Sequence, residues 1–225
     1  MKKYAIIVAG GTGSRMQTDI PKQFLPLAGQ PVIMHSISAF LNYSPEINII
    51  IAIHPDYFDL WDKLCRQHKF LINIKYTAGG LTRYQSVKNC LNLINNDEET
   101  IVAIHDAARP FINKKFINNL FIEAQKYENA IPAIQPNDSV RVLDNETNLP
   151  IDRNKIRLIQ TPQCFKLNLI KNAYSADYSD DFTDDASVLE SAGFKIHLSE
   201  GSPFNFKITK SEDLILAEKI FTSFA

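Results

Sequence analysis

Several features that would mark a specialised class of protein are missing from this 225-residue chain. It has only three cysteines, Cys65, Cys90 and Cys164, at wide spacing and with no Cys-x-x-Cys pair. That argues against a disulfide framework or a zinc cluster and suits a reducing compartment. There is no excess charge of either sign, with 24 Lys and Arg against 25 Asp and Glu. Nothing global therefore draws the chain to nucleic acid or lipid, and any anion site must be built locally. No apolar run is long enough to span a bilayer. Met1-Lys2-Lys3 leads into a short strand candidate and then glycines, not into the apolar core of an export signal. The five histidines are scattered, with no two at metal-ligand spacing. No Ser/His/Asp or Cys/His arrangement stands out, and there is no internal repeat. A single-domain cytoplasmic α/β enzyme is the expectation.

The most informative segment is Ala9-Gly10-Gly11-Thr12-Gly13-Ser14-Arg15-Met16, followed by Pro21-Lys22-Gln23-Phe24. It follows an apolar strand candidate, Tyr4 to Val8. Glycines at a strand end let backbone N–H groups close around an anion, because no Cβ holds the ligand off. Arg15 and Lys22 add positive charge where a polyphosphate would lie. This is neither of two common phosphate loops. No Gly-Lys-Ser/Thr occurs anywhere, and a G-x-G-x-x-G count from Gly11 places Met16 at the third glycine. Gly10, Gly11 and Gly13 are the candidate cradle.

The first half of the chain alternates strand and helix candidates. Ile47–His54, Ile101–Ile104 and Ile131–Ile134 are β-branched and apolar, as strands covered on both faces should be. Helices are expected near Pro31–Phe40, Asp56–His68, Arg83–Ile94 and Asn113–Tyr127, with Pro31 at a first helical position and Asp56 and Asn113 as N-caps. The pattern predicts a Rossmann-like, mostly parallel twisted sheet with helices on both faces, and ligands at the carboxyl ends of its strands. Residues 136–153 break the pattern. Short extended pieces around the polar turn Asp144–Asn148 predict a projecting β-hairpin arm, with docking on a second subunit and a mobile surface hairpin both open readings. Beyond the arm, Gln160-Thr161-Pro162-Gln163 precedes two helix candidates, the second capped by Thr183 with Asp184 and Asp185 favouring its dipole. Phe204–Thr209 alternates like a strand, with Asn205, Lys207 and Thr209 on one face, and Ser211 should cap a last helix.

Two further segments could carry chemistry. His105-Asp106-Ala107-Ala108-Arg109-Pro110 follows an apolar strand, so Asp106 should lie at its carboxyl end. A carboxylate there can hold Mg²⁺ beside a nucleoside triphosphate or orient a cation, and Arg109 can grip a phosphate. The alternative is a structural Asp–Arg pair closing the turn. Gly79-Gly80-Leu81-Thr82-Arg83-Tyr84-Gln85-Ser86 is a second glycine turn opening a helix, where Gly80 and Ser86 could meet a base or ribose. A glycine cradle, a strand-end acid and dispersed cations suit phosphoryl or nucleotidyl transfer. No general base is obvious, which fits a nucleophile that is already anionic.

Taken together, these blocks resemble the 2-C-methyl-D-erythritol 4-phosphate cytidylyltransferase family. The matching runs are residues 9–16, 21–32, 79–87, 105–111, 137–141, 152–163, 183–187 and 206–209, in family order along nearly the whole chain. The resemblance implies transfer of CMP from CTP to 2-C-methyl-D-erythritol 4-phosphate, with Mg²⁺ and release of pyrophosphate. It implies that Arg15 and Lys22 stabilise the transition state and that Lys207 and Arg153 position the acceptor phosphate, assisted by Arg109 and Ser139. Ala9, Gly10, Gly80, Ser86, Asp106 and Ala107 would hold CTP, with Asp106 near the metal. It further implies a homodimer whose arm reaches across, so that Arg153 and Ser139 serve the neighbouring site.

The chain also departs from the family pattern. Val8 stands where many relatives carry Ala, Ser139 where Thr is frequent, and Leu81 where some carry an acid. Ribitol 5-phosphate cytidylyltransferase resembles the chain through the same glycine loop, PKQF and QTPQ, but less well at Asp106–Arg109 and Asp152-Arg153. A sugar-phosphate nucleotidyltransferase would not explain the arm. A non-enzymatic nucleotide-binding regulator would have no use for Lys22 and Lys207 together.

Overall fold

In the computed structural model, residues 1–11, 20–70, 74–95, 99–144 and 147–224 are described. The β-branched runs do form strands buried on both faces. Along β1 (Lys3–Ala9), Ala5, Ile7 and Ala9 pack into one layer and Ile6 into the other. After a small hairpin, β2 (Pro26–Leu27) and β3 (Gln30–Pro31), the chain alternates regularly. The order is α1 (Val32–Tyr43), β4 (Asn48–Ile53), α2 (Phe58–Gln67), β5 (Lys75–Ala78), α3 (Arg83–Leu91), β6 (Ile101–Asp106), α4 (Lys114–Tyr127) and β7 (Asn129–Ile134). One face of the sheet is covered by α1, α2 and α4, whose Phe40, Trp61 and Phe121 join Ile7 and Ile51 in one cluster. Ile117, Leu120, Phe121 and Ala124 give α4 the three- and four-residue spacing of a buried stripe. The opposite face is covered by α3 with two later helices, α5 (Leu167–Ala173) and α6 (Asp185–Ser191).

The rest of the chain adds the hairpin β8 (Val140–Asp144) and β9 (Thr147–Ile151), then β10 (Leu158–Ile159), β11 (Gln163–Lys166), β12 (Leu198–Glu200) and α7 (Ser211–Phe224). The main sheet runs β10-β7-β11-β6-β1-β4-β5, with β12 on β7. β1 pairs in parallel with β4 on one side and with β6 on the other. The chain thus moves outward from β1 through β4 and β5, then returns to β6 across the first strand. Ligand clefts form at such a reversal of strand order, outside the carboxyl ends of the strands. Here those ends are Ala9 and Asp106, where such a cleft is expected.

The mostly parallel, doubly covered sheet agrees with the sequence expectation, with two exceptions in direction. β11 lies antiparallel between β6 and β7, and β10 runs antiparallel to β7. The four-residue β11, fully interior at Gln163, Cys164 and Phe165, has too little length to show a period. Residues 204–209 form no strand. Their backbone contributes one rung, Ile208 N to Ala108 O at 2.9 Å, and Asn205 is buried rather than facing solvent.

Several helix starts also differ. Pro31 is the N-cap of α1, not its first residue. Asp56 caps nothing; its N–H donates to His54 Nδ1 in a 3-10 turn, and α2 begins at Phe58. Asp184, rather than Thr183, caps α6 by a reciprocal pair with Ser187. Ser211 is the first residue of α7, and Asp213 Oδ2 accepts from the N–H groups of Thr209 and Lys210. Asn113 does cap α4, accepting from Phe116 N at 2.9 Å. The predicted arm is present as the two-stranded β8–β9 sheet. Residues 141–144 and 147–150 are all exposed, so it has no core of its own.

No helix among the described residues is long and apolar enough to cross a membrane. All three cysteines are free. Burial pushes the Cys65 thiol up to about 11 and Cys90 up to about 12, and raises Cys164 further still. Only the thiolate is nucleophilic, so at pH 8 these thiols should react far more slowly than cysteines of the unfolded chain. Mass spectrometry after brief iodoacetamide treatment should find Cys90 and Cys164 unmodified in native protein and all three labelled in guanidinium chloride. Rapid native labelling of Cys90 would contradict this packing.

Candidate active site

The cleft at the strand-order reversal has a volume of roughly 330 Å³ and is walled by both glycine turns, the Asp106–Ala108 turn and the 207–209 segment. Gly10 and Gly79 approach each other so closely that a Cβ on Gly79 would lie 3.0 Å from the Gly10 Cα. A Cβ on Gly10 would lie 2.9 Å from Ser86 Oγ, and one on Gly80 only 2.3 Å from the Gln85 Cβ. Glycine lets the two turns meet at Gly79 and lets Ser86 and Gln85 pack against Gly10 and Gly80. Gly11 differs, because a Cβ there would meet nothing within 4 Å. It borders the cleft and leaves its backbone open to a ligand.

Side chains fix both loops from behind. Gln23 is 4 % exposed and donates from Nε2 to the carbonyls of Ala9 and Gly11, each at 2.8 Å. Ser86 Oγ accepts from Gly80 N at 3.0 Å and donates to Thr82 O. Gln85 Oε1 accepts from Leu81 N at 2.8 Å and completes the capping box with Thr82. Leu81 itself is 97 % exposed at the mouth of the cleft.

The charged side chains centre on Asp106. Its carboxylate is nearly buried and meets three cations: Lys207 Nζ at 2.8 Å and Arg109 Nε at 3.5 Å from Oδ2, and Arg83 Nε at 3.4 Å from Oδ1. Burial alone would raise its pKa, but Arg83, Lys207 and Arg109 outweigh that and hold it well below the usual carboxylate range. Arg83 also forms a two-point pair with Asp185 at 2.8 and 2.7 Å, and Tyr174 Oη donates to the same carboxylate at 2.6 Å. Burial opposes the charge of Arg83, yet Asp185 and Asp106 raise its pKa well above normal. Burial depresses the neighbouring His105 to about 3, so it is neutral at physiological pH.

The fold brings most of the expected residues together. Ala9, Gly10, Gly11, Lys22, Gly80, Ser86, Asp106, Ala107 and Lys207 all line the cleft. Arg15 and Gly13 lie outside the described residues. Arg109 sits behind Asp106, with Nη1 donating to Asn205 O at 2.7 Å. Arg153 and Ser139 are exposed and line no part of this chain's own cleft. Arg153 Nη1 donates instead to the Asn137 carbonyl.

Sequence reasoning missed Arg83, Asp185, Gln23 and Gln85. The expectation for Asp185 was dipole stabilisation at a helix start, whereas it is a fully buried ion-pair partner. A usable signal was the placement of Arg83 at the first position of a helix that opens at the cleft.

A doubly wound sheet with a glycine-walled cleft at its switch point, lined by cations around one carboxylate, defines a nucleotide-binding transferase. The family model described as "IspD: 2-C-methyl-D-erythritol 4-phosphate cytidylyltransferase" matches residues 4–223, and the chain belongs to that family. The cytidylyltransferase of that name from Azobacteroides pseudotrichonymphae is 44% identical over 97% of this chain and 98% of its own length. The one from Bacteroides thetaiotaomicron is 40% identical over 95% and 97%. Among solved structures, the 4-diphosphocytidyl-2C-methyl-D-erythritol synthase of Anaerococcus prevotii superposes with a TM-score of 0.82, at 27% identity and covering 98% of this chain and 96% of that one. The Francisella tularensis enzyme gives 0.79 at 31% identity, covering 97% and 99%.

Removing one partner of a buried ion pair leaves the other charge uncompensated, at a cost of about 3–5 kcal/mol. Asp185→Asn should therefore destabilise the fold by about that much in urea unfolding, and Tyr174→Phe by roughly 1 kcal/mol. An Asp185→Asn protein as stable as the parent would show that the Arg83 pair contributes nothing.

Proposed function

We propose that this chain transfers CMP from CTP to 2-C-methyl-D-erythritol 4-phosphate, giving the CDP-linked methylerythritol and pyrophosphate for isoprenoid synthesis in the cytoplasm. The observation that carries the reading is Lys22 and Lys207 on one cleft, beside the open backbone of Gly11 and the buried Asp106. An oxygen of the acceptor phosphate attacks the α-phosphorus of CTP. The new P–O bond forms as the bond from the α-phosphorus to the bridging oxygen breaks, and pyrophosphate departs. Because the nucleophile is already anionic, the chain has only to position two anions and stabilise the added charge.

Lys22, with Arg15 from the glycine loop, stabilises the pentacoordinate transition state. Gly10, Gly11, Gly13, Gly80, Ser86 and Ala107 frame CTP. Lys207, held by Asp106, faces the acceptor phosphate, and Arg109 assists from behind Asp106. Asp106 is the one acid among the residues lining the cleft, and the described residues contain no group of three metal-ligating side chains. That suits Mg²⁺ arriving with the triphosphate and taking one carboxylate, since Mg²⁺ commonly combines phosphate oxygens and waters with one or two acids. Asp106 would be its protein ligand. The metal would neutralise triphosphate charge.

The exposed arm, with Leu143 82 % and Leu149 60 % accessible, supports docking on a second copy. Arg153 and Ser139 would then reach the neighbour's acceptor side, which suits two exposed residues that do not line the home cleft.

Pyrophosphate release from CTP and Mg²⁺ should be fast with methylerythritol phosphate and slow with ribitol 5-phosphate. The reverse preference, or no turnover with either, would overturn the reading. Lys22→Ala should lower kcat about a hundredfold or more. Separately, Lys22→Ala protein mixed with Arg153→Ala protein should regain activity as hybrid dimers form. No recovery after subunit exchange, verified with mass-tagged subunits, would sink the cross-subunit arm.

A further inference from the structure

One chain of buried hydrogen bonds runs behind the cleft, from the lining residue Asp106 to Arg109 behind it. The β11–β6 ladder stops at Gln163, which is level with Ile104. Beyond it, the N–H of Asp106 donates to Thr161 Oγ1 at 3.0 Å, so a side chain takes over from the missing strand. Thr161 Oγ1 is also 3.0 Å from His105 Nδ1, and His105 Nε2 is 3.1 Å from the Arg109 carbonyl. Thr161 and His105 are 5 % and 0 % exposed.

The protons along this chain have one consistent order. A backbone N–H can only donate and a carbonyl can only accept. Thr161 Oγ1 must therefore accept from Asp106, and His105 Nε2 must carry the proton that faces Arg109 O. A proton on Nδ1 would be donated to Thr161 Oγ1, which already accepts from Asp106 N–H, and would leave the Thr161 hydroxyl proton no acceptor within the clamp. With Nδ1 bare, the Thr161 hydroxyl proton points at it and every group is satisfied. The Nδ1–H tautomer would instead set the Nε2 lone pair against the carbonyl.

We propose that Thr161 and His105 are positioning residues for nucleotidyl transfer. Acting through backbone atoms, they clamp the turn that carries Asp106, Ala107 and Arg109. Asn205 extends the clamp, since its Nδ2 donates to Thr161 O at 2.8 Å while its own carbonyl accepts from Arg109. The segment leading to Lys207 is thereby tied to the same turn. Loosening the turn should displace Asp106 and Lys207 together, and misplacement of about 1 Å can cost a hundredfold in rate.

The clamp's catalytic role rests on the cytidylyltransferase reading, but its proton order does not. In ¹⁵N-histidine-labelled protein at pH 7.5, long-range ¹H–¹⁵N spectra should show His105 only as the Nε2–H tautomer. A dominant Nδ1–H form or an imidazolium would overturn the proposal, whether or not the enzyme turns over. Thr161→Val keeps the shape and removes the hydroxyl. Assayed well below its Tm, it should lose about ten- to a hundredfold in kcat, with KM for CTP changed less than threefold. Thr161→Ser should retain kcat within about twofold and keep the tautomer. Unchanged kcat in Thr161→Val, or a Thr161→Ser variant as impaired as Thr161→Val, would refute the role. If Thr161→Val fails to fold, the Thr161→Ser kinetics and the wild-type tautomer still decide it. A wild-type protein with the expected tautomer but no turnover would overturn the catalytic role along with the cytidylyltransferase reading.

Discussion

Asp106 holds the cleft together because it is a buried carboxylate at the end of a central strand, and burying such a charge without compensation is costly. Three cations from three separate parts of the chain supply the compensation: Arg83 from α3, Arg109 from the turn after β6 and Lys207 from the segment before α7. Each pairs with this one acid, and Arg83 pairs more closely still with Asp185. With Asp185 included, the group still carries one net positive charge, facing a cleft that would receive anions. A structural ion cluster and the proposed electrostatic receptor are here one set of residues. The sequence left a structural Asp–Arg pair and a functional acid as competing readings of Asp106 and Arg109, and the geometry supports both roles at once.

The two glycine turns are linked by a different constraint. The Gly10 backbone leaves little room for a side chain on Gly79, and Ser86 Oγ leaves little on Gly10, while Gly11 faces open space. Gln23 then fixes the first turn through two carbonyls, and Ser86 and Gln85 fix the second through two amides. Part of the glycine content therefore serves the wall of the cleft rather than its contents. At Ala9, Gly11, Gly80 and Leu81 the backbone is thus held in place before any ligand arrives.

Much of this was legible in the sequence, for identifiable reasons. The strands β1, β4, β6 and β7 were visible because burial on both faces demands continuous β-branched residues, and Asn113 because a side-chain cap has a local signature. The glycine turns and Asp106 fell at strand ends, where α/β topology puts ligands. β11 was not visible, because its place between β6 and β7 is decided by partners some sixty and thirty-five residues away rather than by its own four residues. Phe204–Thr209 misled for the same reason. Its alternation is genuine at Phe206 and Ile208, which join a satellite cluster, but Asn205 is drawn inward by Thr161. Arg83 and Asp185 are 102 positions apart and carry no local sign of each other.

The long-range polar contacts share a pattern that bears on how the site is assembled. Gln160 bonds the 202–205 loop, Thr161 bonds the end of β6, and Gln163 bonds both Asp184 and the N–H of Ala186 at the start of α6. Three residues within four consecutive positions thus reach the segment before Lys207, the strand carrying Asp106 and the helix carrying Asp185. Arg83 closes the circuit by pairing with both acids. The walls of the cleft are consequently referred to a common origin in residues 160–163, which line none of it. Lysines and arginines on a surface hold anions loosely because their side chains remain mobile. Here Lys207 and Arg83 are tied to acids whose backbones are themselves fixed from behind, so the positive charge has a defined position.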